Sequence, residues 1–256
     1  MGQFDVNFSR GLGHLDSGER DDDRVFAAGA GSTLSAISFR ALYPECFQLV
    51  VQDQGQTSSC VGQALATAME FSWARKYLKL LNFSPMGIYA LARKKRGWLS
   101  QDRGCYIRDA AEQMRDIGIC LDSFHQFNLA NLHKDLDQTA YEQCSRHRIQ
   151  YMERLDRSNV LEVLSDSRPV VGGITVYREC VFGEEAQRTG LIRTPRSGDI
   201  LDGGHALCFT GFDIATGRLE GINSWGPRWG DHGWFSLPME YLDNPTWSSD
   251  FWTLRL

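Results

Sequence analysis

Val51-Gln52-Asp53-Gln54-Gly55-Gln56-Thr57-Ser58-Ser59-Cys60-Val61-Gly62-Gln63-Ala64-Leu65 is the stretch that decides how this chain is read. Residues 53–59 have the composition of a turn. From Cys60 the pattern becomes helical: Val61, Leu65, Ala68, Met69 and Ser72 fall on one face. Ala64, Ala66 and Ala68 add helix propensity, and Gly62 subtracts a little. Cys60 is therefore expected at a helix N-terminus, where free backbone N–H groups and the helix dipole favour a thiolate. A thiolate that acts as a nucleophile needs a base or imidazolium beside it.

Among the six histidines, His205 has the setting for that task. It follows Asp202-Gly203-Gly204 and opens the apolar run 205–212, a strand mouth from which a ring can project into a cleft. An imidazole in turn needs an acceptor to orient it. Asn223 closes the next strand-like run, in Gly221-Ile222-Asn223-Ser224-Trp225-Gly226, and Trp225 is placed to shield an Asn–His bond from water. Taken singly these signals are weak. A cysteine at a helix start is more often structural, and a histidine before a strand is more often a satisfied core group.

Composition excludes more than it selects. A length of 256 residues allows one large domain or two small ones, and 42% hydrophobic with 23% charged residues is globular. A net charge of −5 weighs against nucleic acid as a partner. No apolar run reaches the roughly 20 residues of a membrane span, so no membrane partner is expected. The start of the chain lacks the pattern of a signal peptide. The expectation is a cytoplasmic protein, or one exported by a non-Sec route as an effector. The seven cysteines include no CxxC pair, and His14, His125, His133 and His147 show no metal-ligand spacing. No metal or cofactor is called for. The basic run Arg93-Lys94-Lys95-Arg96 reads as a helix end facing the negative pole of the dipole.

Elements follow from punctuation. Residues 47–51 read as a short strand. Ser84-Pro85 reads as an N-cap and first position of a second helix. A third helix spans Ile107 to Ile117 with Gly118 as its stop. Residues 119–157 stay unassigned, and a short helix is expected over 159–165 with Ser158 as N-cap. Strand-like runs then follow at 169–177, 205–212, 219–223, 233–236 and 251–254. A helical half followed by a β half predicts α+β architecture with a cleft between two lobes. The expected division is an irregular N-terminal extension over 1–35, a mainly helical lobe over 36–157 carrying Cys60, and a mainly β lobe over 158–256 carrying His205 and Asn223. The extension either covers the cleft as a short plug or is a mere appendage, and the appendage is the favoured reading.

In this order and spacing the motifs resemble the papain-like cysteine peptidases, in a form closer to the bacterial members. His205 follows Cys60 by 145 residues and Asn223 by 163. Val51–Cys60 is similar to the family's nucleophile segment, Gly203-Gly204-His205 to its histidine strand, and Asn223-Ser224-Trp225-Gly226 to its asparagine segment. Gly104-Cys105-Tyr106 resembles the stretch that lines its cleft. The resemblance implies a two-lobed fold, a helical lobe against an antiparallel β-barrel-like lobe. It also implies hydrolysis of a polypeptide substrate through a thioester. Cys60 is then the nucleophile, His205 the acid/base and Asn223 its orienter. Gln54 joins the Cys60 N–H in the oxyanion hole. Gly104, Cys105, Gly204 and Trp225 are the substrate-binding candidates. A cysteine usual in the family is replaced by Thr57, so one disulfide is absent. Acyl transfer by the same triad, or a catalytically silent binding module, are the alternatives. Oligomeric state is left open.

Overall fold

The helix that begins at Cys60 is buried on nearly every face from Cys60 to Phe71, and the rest of the molecule is built round it. In this computed structural model the described residues are 10–27, 29, 35–42 and 51–256. The expected strand over 47–51 falls largely outside them. In chain order the elements are β1 (His14–Leu15), β2 (Ala36–Ser38), α1 (Phe39–Leu42), α2 (Cys60–Tyr77), α3 (Pro85–Lys95), β3 (Cys105–Tyr106), α4 (Ile107–Asp116) and α5 (Gln138–Cys144). They continue with β4 (Tyr151–Leu155), α6 (Val160–Ser165), β5 (Val170–Tyr177), α7 (Arg178–Val181), α8 (Glu184–Thr189) and β6 (Leu201–Asp213). The last are β7 (Arg218–Ile222), β8 (Trp234–Pro238), α9 (Glu240–Asp243) and β9 (Ser248–Arg255).

Two lobes result. In the helical lobe α2 packs on α3 and α4, with Leu65, Met69, Met86, Ile88 and Met114 in its core. Ser84 caps α3 as expected: its Oγ accepts from Gly87 N at 2.8 Å. α4 ends one residue early, and Gly118 takes φ +106°, the left-handed stop the sequence predicts. The basic end of α3 is paired rather than free. Arg93 is buried and donates to the carbonyls of Leu99, Gln101 and Leu132, while Lys94 meets Asp135 and Arg96 meets Asp109.

The second lobe is a seven-stranded sheet in the order β4-β9-β5-β6-β7-β8, with β2 on β6. Every pairing in it is antiparallel. Three expected boundaries move. β4 lies in the sheet, so the β lobe recruits chain from 151 rather than 158. Glu153 on that strand is buried beside Arg168 and Arg255, which hides its strand character from an apolar/polar count. Residues 36–38 also join the sheet rather than the helical lobe. The helix expected after Ser158 starts at Val160, with Asn159 at the N-cap position and no side-chain cap.

Residues 10–17 depart from the sequence reading most. They are no appendage: they run through the cleft between the lobes. β1 pairs in parallel with β3, His14 opposite Cys105 and Leu15 opposite Tyr106. The physical reason is local. Glycines at 11 and 13 let the backbone lie directly on the turn before α2, where a Cβ at Gly11 would stand 2.0 Å from the Thr57 carbonyl oxygen and one at Gly13 1.9 Å from that of Ser58. No helix among the described residues is long and apolar enough to cross a membrane.

Candidate active site

Cys60 is the first residue of α2, at the floor of the cleft, and is fully buried. Its Sγ lies against the backbone N–H groups of Ala206, Gly13, Val61 and Cys60 itself. Ala206 follows His205 on β6, so the central helix and the central strand set the Cys60 sulfur against the backbone next to His205. His205 Nε2 donates to Asn223 Oδ1 at 2.8 Å. Asn223 Oδ1 is itself held by Ser224 N at 2.8 Å. His205 Nδ1 has no hydrogen-bond partner. One ring nitrogen is thus fixed by a neutral acceptor, and the other is left to exchange a proton. Trp225 stacks on the imidazole at 4.6 Å between centroids, and Phe182 stacks on the far face of Trp225 at 4.9 Å. The Asn–His bond is sealed from water, as the sequence suggests.

Gln54 precedes the helix by six residues and is 1% exposed. Ser224 Oγ donates to its Oε1 at 2.6 Å, which aims the amide nitrogen into the cleft. Its Nε2 donates to the Thr57 carbonyl and to the Gly11 carbonyl, both at 2.8 Å. A peptide carbonyl therefore already sits on the amide expected to hold an oxyanion. Thr57, where a family disulfide is absent, is buried instead, with its Oγ1 donating to the Gln54 carbonyl at 2.7 Å.

Of the substrate-binding candidates, Cys105 donates its N–H to the Gly13 carbonyl at 3.0 Å. Gly104 spends its N–H on Tyr89 Oη at 3.0 Å, and its missing Cβ leaves room for the Gly13 carbonyl oxygen, 2.1 Å from where that atom would stand. Gly204 gives room rather than a bond, since a Cβ there would lie 2.6 Å from the His14 carbonyl oxygen. The Trp225 carbonyl accepts from Arg10 of the crossing segment at 3.1 Å.

In the covered site Cys60 and His205 are both driven toward their neutral forms. Burial pushes the Cys60 thiol up to about 11, against the pull of the surrounding N–H groups. Burial also pushes His205 down to about 4, against the help of Asn223. The thiolate–imidazolium pair expected from the sequence is thus disfavoured while residues 10–17 exclude water, because neither charge is solvated. Among the described residues no group of three His, Cys, Asp or Glu side chains is arranged to hold a metal ion.

The crossing segment answers to the less favoured of the two sequence readings of residues 1–35, and its side chain at position 14 has no role in either. His14 shows no metal-ligand spacing in the sequence. Its side chain is instead buried in the cleft, with Nε2 3.3 Å from Asp250 Oδ2. The signal that was present is Gly11-Leu12-Gly13-His14, a glycine at every second position, which suits an extended chain laid closely on other backbone.

A helix-borne cysteine, a strand-borne histidine and an asparagine on the next strand, in a cleft between a helical and a β lobe, define a papain-type cysteine protease. The sequence profile of the papain family cysteine proteases matches residues 37–244, and the chain belongs to that family. It is similar to xylellain, a cysteine protease from Xylella fastidiosa, with 25% identity, 96% of each chain covered and a TM-score of 0.88. An uncharacterised peptidase C1-like protein of Acanthamoeba polyphaga mimivirus is 26% identical over 215 residues, 79% of this chain and 68% of that protein. The fold is also that of procathepsin L 3 of Tenebrio molitor larval midgut, at 17% identity over 98% of this chain and 78% of that one, with a TM-score of 0.73.

Proposed function

We propose that the protein hydrolyses peptide bonds with Cys60 as nucleophile, and that residues 10–17 hold it in a covered resting form. The observation that carries this is the Gly11 carbonyl seated on Gln54 Nε2 directly before Cys60. A site that binds one peptide carbonyl there suits the scissile carbonyl of another.

The steps follow from the residues. The Cys60 thiol proton passes to His205 Nδ1 as Sγ attacks the carbonyl carbon. The oxyanion is held by Gln54 Nε2–H and the Cys60 N–H, donors that cannot titrate. As the C–N bond breaks, His205 returns the proton to the leaving amine. A water deprotonated by His205 then cleaves the thioester, and Sγ recovers its proton. Asn223 keeps the ring in one tautomer throughout. The covering segment escapes this chemistry in its present register. It offers the sulfur the N–H of Gly13, whose carbonyl is turned to Cys105.

The six described cysteines are free, which supports residence in a reducing compartment. An epoxide thiol probe, with adducts located by peptide mass spectrometry, tests the reading. Full-length protein opened by Gly13→Val labels at Cys60, and His205→Ala in that background abolishes the label. Labelling spread over several cysteines, or indifferent to His205, sinks the triad.

A further inference from the structure

Asp102 lies in the loop between α3 and β3, and its carboxylate gathers donors from two separate segments. The Ser58 N–H donates to it, with N 3.0 Å from Oδ1 and 3.2 Å from Oδ2. Ser58 Oγ also reaches the Asp102 carbonyl at 3.4 Å. Tyr89 Oη donates to Oδ1 at 2.7 Å, and the same hydroxyl accepts from Gly104 N at 3.0 Å. The loop that carries Asp102 is pinned in its turn. Arg93 is buried in α3 with its guanidinium 3.9 Å from the centre of the Tyr89 ring, and it donates to the carbonyls of Leu99 and Gln101 at 3.1 and 2.8 Å. A fixed carboxylate thus faces the turn that precedes α2.

The peptide unit that joins Thr57 to Ser58 is held at both ends. Its N–H goes to Asp102, a charged acceptor and so a strong one. Its carbonyl accepts one N–H of Gln54 at 2.8 Å. A peptide unit is planar, so fixing the N–H fixes where the carbonyl points. The Gln54 amide nitrogen carries two protons. One is taken by the Thr57 carbonyl, which sets the direction of the amide together with Ser224 on Oε1. The other then points to the place where the Gly11 carbonyl sits. That second proton is the one an oxyanion needs. We propose that Asp102 is a positioning residue of the oxyanion hole, acting through the 57–58 peptide on the Gln54 amide. Tyr89 extends the same tie to Gly104, so that the nucleophile turn and the cleft wall at β3 are held in one register. The proposal rests on the peptidase reading.

The test is a double-mutant cycle in the full-length chain opened by Gly13→Val. Asp102→Ala lowers kcat about tenfold, short of the roughly 10²–10³ that loss of a whole oxyanion donor costs. In the Gln54→Ala background the same substitution changes kcat by less than about twofold, because a residue that acts through Gln54 has nothing left to act on. The rate at which an epoxide labels Cys60 is unchanged in both backgrounds. Asp102→Asn, which keeps one acceptor for the Ser58 N–H, restores most of the lost kcat. If Asp102→Ala does not fold, Asp102→Ser takes its place with the same expectation. Equal losses of kcat with and without Gln54 overturn the proposal. A fall in labelling overturns it too, since Asp102 would then hold Cys60 rather than the oxyanion donor. If the opened parent cleaves no peptide and takes no label, the peptidase reading itself has failed. The positioning is then judged without turnover, in the covered protein, from the exchange of the Gln54 side-chain amide protons by NMR. Asp102→Ala speeds that exchange at least about tenfold and leaves the Ser224 backbone amide, held by Asn223 Oδ1 at 2.8 Å, unchanged. A rise at both sites, or at neither, overturns the proposal.

Discussion

Gln54 shows how much one amide can be asked to do. It donates to two carbonyls, and Ser224 fixes its orientation. Gln54→Ala in opened enzyme should lower kcat by about 10²–10³, the usual effect of losing one oxyanion donor. Epoxide labelling of Cys60 should persist, because the thiol and His205 are untouched. Loss of labelling together with kcat would mean that Gln54 acts by holding the turn rather than the oxyanion. Glu70 offers a second test at this scale. It is buried in α2 and pushed up to about 8, first by burial and further by the charge of Asp122, while its bond from Phe83 N at 3.0 Å pulls it down. A raised carboxyl favours the fold below its unfolded pKa of about 4.5 and loses that contribution as pH rises through about 8. Glu70→Gln keeps the acceptor and cannot ionise. The melting temperature of the variant should therefore exceed that of the parent by a margin that widens from pH 5 to pH 9. A constant margin would place the ionisation elsewhere.

Elements divide into those that announce themselves and those that do not. Ser84-Pro85 and Gly118 mark α3 and the end of α4 because a cap and a left-handed stop each need particular residues. Ser84→Ala should cost about 1–2 kcal/mol in urea denaturation, since it strands the Gly87 N–H. The motifs around 54, 60, 205 and 223 were likewise legible, because each couples a short turn or strand mouth to a particular polar side chain, and the fold sets His205 against Asn223 and Gln54 against Ser224. β4 was not legible: Tyr151-Met152-Glu153-Arg154-Leu155 carries charge in a strand whose Glu153 is satisfied only by Arg168 and Arg255, far along the chain. β1 was harder still. Two residues of strand have no periodicity, and what fixes them is a partner at Cys105 and Asp250, more than ninety and two hundred residues away.

At the scale of the whole molecule, covering and uncovering the cleft is linked to pH. While covered, His205 sits at about 4, below its ordinary 6.5, because burial disfavours the imidazolium. The covered form is therefore favoured fully above about pH 6.5 and loses that advantage as pH falls toward 4. At the alkaline end Cys60, at about 11 against an ordinary 9.0, makes the open form gain as pH rises past about 9. Residues 10–17 should be seated most firmly between those limits. Hydrogen exchange at the Cys105 amide, corrected for the intrinsic rate, should lose up to about two orders of magnitude of protection between pH 7 and pH 4.5. Protection that is flat across that interval would mean that water already reaches His205 in the covered form.

The segment over Cys60 is covalently joined to the molecule it covers, and that sets the kinetics. A tethered occupant competes at an effective concentration of about millimolar, however dilute the protein is. Diluting the enzyme cannot release it, and a free inhibitor peptide of the same sequence would be far weaker. A substrate must instead wait for the open fraction, so the apparent KM rises as the reciprocal of that fraction while kcat at saturation is preserved. Substitutions at Gly11 or Gly13 would then lower KM and leave kcat unchanged, the reverse of what damage to the catalytic residues does.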